Sequence, residues 1–256
     1  MTLTKLAFIM KSRKYHLIPM VVLATGVILL VTAVSFQAYK MVAHAQLNKM
    51  EYKASGLEID DTKHEALYPG DLIDPLDWDN PRITDIREKG VDPVEQFWYG
   101  KNEGITQAGP PRSIEIPTIG LSSEVKSLTI QNYGNARGWE TPKNVVGHIP
   151  TTANPGQEGI AYLFGHLNSP VRGQGSVFRD LTKIPHILRQ GKEVYVYVKD
   201  EDGKTYLYRV NKTTVIPQEE FKIKDSKSSL IELVACVPAY IYDHRLIVTA
   251  ELVGFK

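Results

Sequence analysis

The chain opens with a sharp change of texture. Lys5, Lys11, Arg13 and Lys14 punctuate Met1 to His16 with no acidic residue, and then Leu17 to Tyr39 runs without a single charge. A helix rises about 1.5 Å per residue, so about 20 apolar residues cross a hydrocarbon core of about 30 Å. The pattern predicts a transmembrane helix over 17–39 behind a cytoplasmic tail, residues 1–16. Basic residues ahead of the span place the N-terminus inside and the bulk of the chain outside, although Lys40, Lys49 and Lys53 on the far side narrow the margin. A cleaved signal peptide is the competing reading, because Ala43-His44-Ala45 has the small-residue form of a cleavage site. The apolar run is long for a signal and the site lies well past its end, so an uncleaved anchor is favoured. Either reading leaves 46–256 outside the cytoplasm.

Residues 40–111 lose all regular patterning. Asp60, Asp61, Glu65, Asp71, Asp74, Asp77, Asp79, Asp85, Glu88, Asp92 and Glu95 make the stretch acidic, and Pro69, Pro75, Pro81, Pro93, Pro110 and Pro111 interrupt any element. This is the composition of a solvated linker that lifts a domain off a membrane. Trp78, Phe97, Trp98 and Tyr99 are out of place in a pure tether, so part of the segment is expected to pack on the domain that follows.

From Arg112 the alternation becomes that of strands. "SIEI" alternates until Pro117, "GIAYLF" is a buried strand, and "KEVYVYVKDEDGKTYLYRVNKTTVI" is two β-rich runs around Asp202-Gly203, a hairpin signal. "LIELVAC" and "RLIVTAELV" are two more strands, with a loop of about eight residues between them. "FRDLTKIPHILRQG" has helical spacing broken at Pro185 and closed by Gly191. Many short strands and few helices predict a mainly β fold, a closed barrel or a sandwich, over 112–256.

Composition narrows the chemistry. A net charge of +1 argues against nucleic-acid binding, which needs clustered basic excess. The single cysteine, Cys236, excludes an internal disulfide and a zinc site built from cysteine pairs. A lone cysteine at a strand end is commonly a small buried hydrophobe. As a nucleophile it needs a nearby base or positive charge, and donors for the oxyanion formed when it attacks a carbonyl. Two residues supply those needs. His166 ends an apolar strand in "LFGHLN", and Arg245 opens the strand that follows Cys236.

These residues carry a family resemblance. In order and spacing, Ser113 to Val253 resembles the sortases, membrane-anchored cysteine transpeptidases of bacterial cell surfaces. "SIEIPTIGLSSEV" is similar to the family's first strand and turn, and "GHIPTTANPGQEGIAYLFGHLN" to the segment ending in the histidine. "SVFRDLTKI" with "RQGKEVYVYV" is similar to the block before the next strand, and "LIELVACVPAYIYDHRLIV" to the cysteine strand, its loop and the arginine strand. The resemblance implies a closed sortase-type β-barrel with short helices. It implies Cys236 as nucleophile, His166 as general acid/base and Arg245 as the oxyanion or substrate-orienting group, with no cofactor and no metal. It also implies cleavage of a Leu-Pro-x-Thr-Gly-like sorting motif through a thioacyl-enzyme. The partners would be surface proteins carrying a C-terminal sorting signal, and an amine acceptor from a peptidoglycan cross-bridge or a pilin lysine. A thiol peptidase that hydrolyses the same intermediate and an inactive binding scaffold are the alternatives.

The departures are local. Glu232 and Ala235 stand where the family commonly has threonines, which bears on how the oxyanion site is ordered. Asp243 stands where small hydroxyl residues are frequent, either turned to water or paired with Arg245. His148 is read as structural, and His244, next to Arg245, should face the other side of its strand. The nine-residue step from Cys236 to Arg245 is similar to pilin-polymerising sortases, some of which carry an N-terminal lid with an Asp-Pro-aromatic motif. "IDPLDWDNP" makes Asp74, Leu76, Asp77 and Trp78 the candidate lid residues, with an ordinary spacer as the other reading.

Overall fold

A computed structural model describes residues 3–54, 97, 108–133, 136–140, 142–168, 173 and 175–256 of the chain. It forms two compact units, residues 1–46 and 47–256. The first is a single helix, α1 (Leu3–Ala45). The apolar stretch that begins at Pro19 is long and apolar enough to cross a membrane, with a mean hydropathy of 2.3. Met20, Leu23 and Leu29 are each about 70% exposed, and a helix apolar on every side finds its solvent in lipid. Its polar residues need no water. The hydroxyls of Thr25 and Thr32 donate back to the carbonyls of Val22 and Leu29, three residues earlier.

The second unit is a mainly β barrel. Eight strands close it: β9 (Thr205–Pro217), β11 (His244–Phe255), β10 (Ser229–Val237), β7 (Gly159–Phe164), β6 (Val146–His148), β3 (Leu121–Ser127), β2 (Pro111–Ile116) and β8 (Tyr195–Asp200), which pairs again with β9. Two of the pairings, β7 with β10 and β3 with β6, are parallel. The inward side chains of these strands form one continuous core that includes Ile114, Leu163, Val196, Tyr208, Leu233 and Val248. Closure removes free edges, which a sheet this apolar on its inner face requires. Where aromatic hydroxyls reach the interior they have partners. Tyr206 donates to Asp200 at 3.1 Å, and Tyr208 accepts from the Gly156 amide at 2.6 Å.

The hairpin at Asp202-Gly203 forms between β8 and β9, with Gly203 at φ +89. Pro185 starts a helix rather than breaking one. A 3-10 turn over Arg179–Lys183 leads into α2 (Ile184–Arg189), with the proline in its first turn, where no amide donor is needed. The loop between β10 and β11 is shorter than expected, residues 238–243. A short strand, β1 (Tyr52–Lys53), adds to the outer edge of β9. Thr213 donates to the Met50 carbonyl at 2.7 Å, and Arg189 donates to the Glu51 carbonyl at 2.7 Å. Phe97 is buried with its ring centroid 5.9 Å from that of Tyr197. A separate hairpin of β4 (Ile130–Tyr133) and β5 (Ala136–Trp139) follows β3.

Candidate active site

Topology gathers the three sequence-predicted residues. Because β7 and β10 are parallel, with Phe164 opposite Val234, their C-terminal ends lie side by side. His166 stands two residues past the end of β7, and Cys236 is the second-last residue of β10. Strand β11 runs back antiparallel, so its first residues lie at the same end, with Arg245 directly opposite Cys236. Side chains alternate along a strand. Ile231, Leu233, Ala235 and Val237 take the inward positions of β10, which puts Cys236 on the outer face. On β11 Leu246 and Val248 point inward, so Arg245 shares that outer face. The result is a cleft of about 210 Å³ that Cys236, His166 and Arg245 all line.

The histidine is fixed by its neighbours. The Gly165 amide donates to the Val234 carbonyl at 3.3 Å, and the Phe178 amide donates to the His166 carbonyl at 2.9 Å. Gly165 leaves room for that clamp, since a Cβ there would lie 2.6 Å from the Phe178 ring and 2.7 Å from Val177. The imidazole itself is held loosely. Its Nε2 is buried with no hydrogen-bond partner among the described residues. Burial pushes its pKa below the ordinary histidine value, so it rests neutral at pH 7.

The thiol also rests neutral. Burial raises the Cys236 pKa above the ordinary thiol value, and the positive charge of Arg245 pulls against that rise. Arg245 is oriented along one edge. Its Nη1 donates to the carbonyls of Tyr242 at 2.9 Å and His244 at 3.0 Å, and its Nη2 donates to Gln218 Oε1 at 3.2 Å. A guanidinium held this way keeps its remaining donors for a ligand in the cleft. Asp243 spends a carboxylate oxygen on His244 Nδ1 at 2.8 Å rather than on Arg245. His244 does not line the cleft.

The remaining walls are apolar and come from Leu128, Trp139, Pro142, Ile149, Phe164 and Val234, with Glu140 as the exception. Glu140 accepts from the Thr129 hydroxyl at 2.8 Å and lies 2.8 Å from the Lys126 ammonium, which ties the β4–β5 hairpin to β3. Trp139, Glu140 and Gln218 escaped the sequence reading. The hairpin is short and polar, and a glutamine after a strand looks like any loop residue. The only advance signal was Trp139, a large aromatic in a stretch without other core residues.

The departures from the family pattern separate cleanly. Ala235 points into the barrel core at 1% exposure, away from the thiol. Glu232 is on the outer face, four residues before Cys236. Burial holds its carboxyl above the usual range, against the Tyr162 hydrogen bond and the charges of Lys224 and Lys212. His148 is fully buried, its Nε2 donating to the Ala153 carbonyl at 3.0 Å, and it holds the loop after β6. The candidate lid residues Asp74, Leu76, Asp77 and Trp78 lie outside the described residues.

Comparison with known proteins follows the same region. Residues 114–253 match the family model of the Sortase domain. Among curated proteins none matches the chain. Similar solved structures include a lid mutant of sortase A from Corynebacterium diphtheriae, 24% identical over 58% of this chain and 73% of that one, with a TM-score of 0.41. Sortase A from Listeria monocytogenes is 20% identical over 59% of this chain and 90% of its own, with a TM-score of 0.42. Sortase C-1 from Actinomyces oris is 27% identical over 55% and 72%, with a TM-score of 0.40.

Proposed function

The chain belongs to the sortase family, and from that premise we propose that it is a membrane-anchored cysteine transpeptidase working outside the cytoplasm. Its substrates are surface proteins whose C-terminal signal carries a Leu-Pro-x-Thr-Gly-like motif. The observation that supports this most is the single cleft in which a thiol, an imidazole and a guanidinium meet from three neighbouring strands.

Each group has a task suited to its state. The Cys236 sulfur attacks the carbonyl carbon that follows the threonine, and its proton passes to His166, which is neutral and can accept it. Negative charge then grows on the carbonyl oxygen. Arg245 meets it with a fixed, permanently charged fork of donors. When the C–N bond breaks, His166 returns the proton to the departing amine and a thioacyl-enzyme remains. The acceptor amine, from a peptidoglycan cross-bridge or a pilin lysine, attacks that thioester. It gives a proton to His166, the C–S bond breaks, and the proton returns to the thiolate. Apolar walls suit this sequence because they exclude the water that would hydrolyse the intermediate.

Product analysis by mass spectrometry tests the reading. The full-length protein is incubated with a Leu-Pro-x-Thr-Gly peptide, with and without a triglycine amine. A new amide joining the two supports transpeptidation. Free acid as the sole product in both arms would make the protein a thiol peptidase. Bound peptide without any product would make it a scaffold.

A further inference from the structure

The loop between β10 and β11 holds two tyrosines in left-handed backbone conformation, Tyr240 at φ +66 and Tyr242 at φ +62. A bulky side chain is an outlier there, since glycine, asparagine and aspartate are the residues that adopt this region at low cost. Strained backbone persists only where surrounding contacts over-determine it. Both hydroxyls make such a contact, and both make it with one residue. Tyr242 donates to the Asn168 carbonyl at 2.6 Å, and the Asn168 side-chain amide donates to the Tyr240 hydroxyl at 3.0 Å.

Asn168 lies two residues beyond His166, and Tyr242 lies three before Arg245. The Tyr242 carbonyl in turn accepts from Arg245 Nη1 at 2.9 Å. Hydrogen bonds therefore run without a break from the loop that carries the imidazole to the guanidinium. We propose that Tyr242 is a positioning residue that sets the spacing between His166 and Arg245, with Tyr240 bracing the same tie from the exposed side. A tyrosine suits the task because only two side-chain torsions separate its hydroxyl from the backbone. The backbone strain is the cost of carrying a phenol at a position where asparagine would sit unstrained. Gln218 closes the other side, taking Arg245 Nη2 on its side chain while its amide donates to the Asp243 carbonyl at 3.0 Å.

The proposal rests on the catalytic reading of His166 and Arg245, so one readout must not need turnover. Tyr242→Phe removes only the hydroxyl. Tyr242→Asn removes it and also relieves the left-handed strain. For each variant and the parent, in the full-length protein, three quantities are measured: melting temperature, kcat and KM on the sorting-motif peptide, and the pH midpoint of Cys236 alkylation by iodoacetamide. The charged or titratable groups lining the cleft with Cys236 are Glu140, His166 and Arg245, and Asp243 and His244 adjoin them in the chain. None is altered by these substitutions. We expect kcat to fall between about tenfold and a hundredfold in both variants, as displacement of catalytic groups by about 1 Å does, with KM within about twofold. Tyr242→Asn should lose this activity while melting no lower than Tyr242→Phe, which a merely structural role cannot produce. The alkylation midpoint should rise in both, because Arg245 moves while its charge stays. A Tyr242→Asn protein with parental kcat and an unmoved midpoint would overturn the proposal. If the parent itself does not turn over peptide, the midpoint alone decides: a rise supports the tie, and no rise overturns it.

Discussion

The two faces of strands β10 and β11 differ by one residue of register and by everything in chemistry. Inward, Ile231, Leu233, Ala235 and Val237 face Leu246, Val248 and Ala250 across the barrel wall, none more than 1% exposed. Outward, the same strands carry Glu232, Cys236, Arg245 and Glu251, all half-buried. Strand alternation lets one element do both jobs without compromise. The inner face is under packing pressure alone, and the outer face places groups whose protonation states matter. The lesson is that adjacent residues here should respond to substitution in opposite ways.

The largest effects should sit one on each face. Cys236→Ala is expected to abolish turnover while shifting stability by no more than about 1–2 kcal/mol, since a half-buried sulfur is a small loss of packing. Leu233→Ala should do the reverse, destabilising the barrel by about 2–5 kcal/mol while the fraction that stays folded remains active. Denaturant unfolding beside peptide turnover reads both. An active Cys236→Ala protein would remove Cys236 from the nucleophile role.

Arg245→Lys keeps the charge and loses the fork. The guanidinium is anchored through two nitrogens to three acceptors, an arrangement a point-like ammonium cannot reproduce. Turnover should fall by about a hundredfold or more, the cost of losing one oxyanion donor. A lysine variant within about threefold of the parent would reduce Arg245 to a general electrostatic role.

A smaller effect has a definite sign. Burial raises the Cys236 pKa and Arg245 lowers it in part. Arg245→Ala removes the lowering contribution alone, so the thiol pKa must rise further and the alkylation midpoint must move to higher pH. At a fixed pH below that midpoint the variant should alkylate more slowly. With one cysteine in the chain the label is unambiguous. Changed access alters the plateau rate but not the midpoint, so an unmoved midpoint would show that the guanidinium does not reach the thiol.

The sequence made the packing face and the three outer groups legible for different reasons. Alternating or continuous apolar runs marked β7, β10 and β11, because burial on one side imposes a period of two. Cys236, His166 and Arg245 stood out because each ends or begins such a run. What stayed hidden depends on tertiary geometry. Gln218 looks like an ordinary loop glutamine until the fold brings it to Arg245. Tyr240 and Tyr242 read as generic aromatics, since nothing local announces a left-handed tyrosine. Pro185 was taken as a helix breaker because the preceding 3-10 turn cannot be told from a first helical turn by spacing alone. The Glu140 carboxylate became part of the cleft only through a hairpin whose polar strands carry no burial signal.

The last prediction probes the boundary between the faces at the residue beside the nucleophile. Ala235 occupies a position where relatives commonly have threonine, and its side chain points into the core opposite the cleft. Ala235→Thr would insert a methyl and a hydroxyl into a space bounded by apolar side chains. A buried hydroxyl without a partner costs about 1–3 kcal/mol, and the added volume costs in the same direction. Ala235→Val carries the volume without the hydroxyl, so the difference between the two variants isolates the polar cost. If the faces are independent, Ala235→Thr should melt below both the parent and Ala235→Val, and kcat should stay within about twofold of the parent at a temperature where all three are folded. A gain in kcat for threonine but not valine would mean that a hydroxyl on the inner side of β10 reaches the cleft chemistry after all. In that case the strand does not insulate packing from catalysis, and the alanine here trades activity for a tighter core.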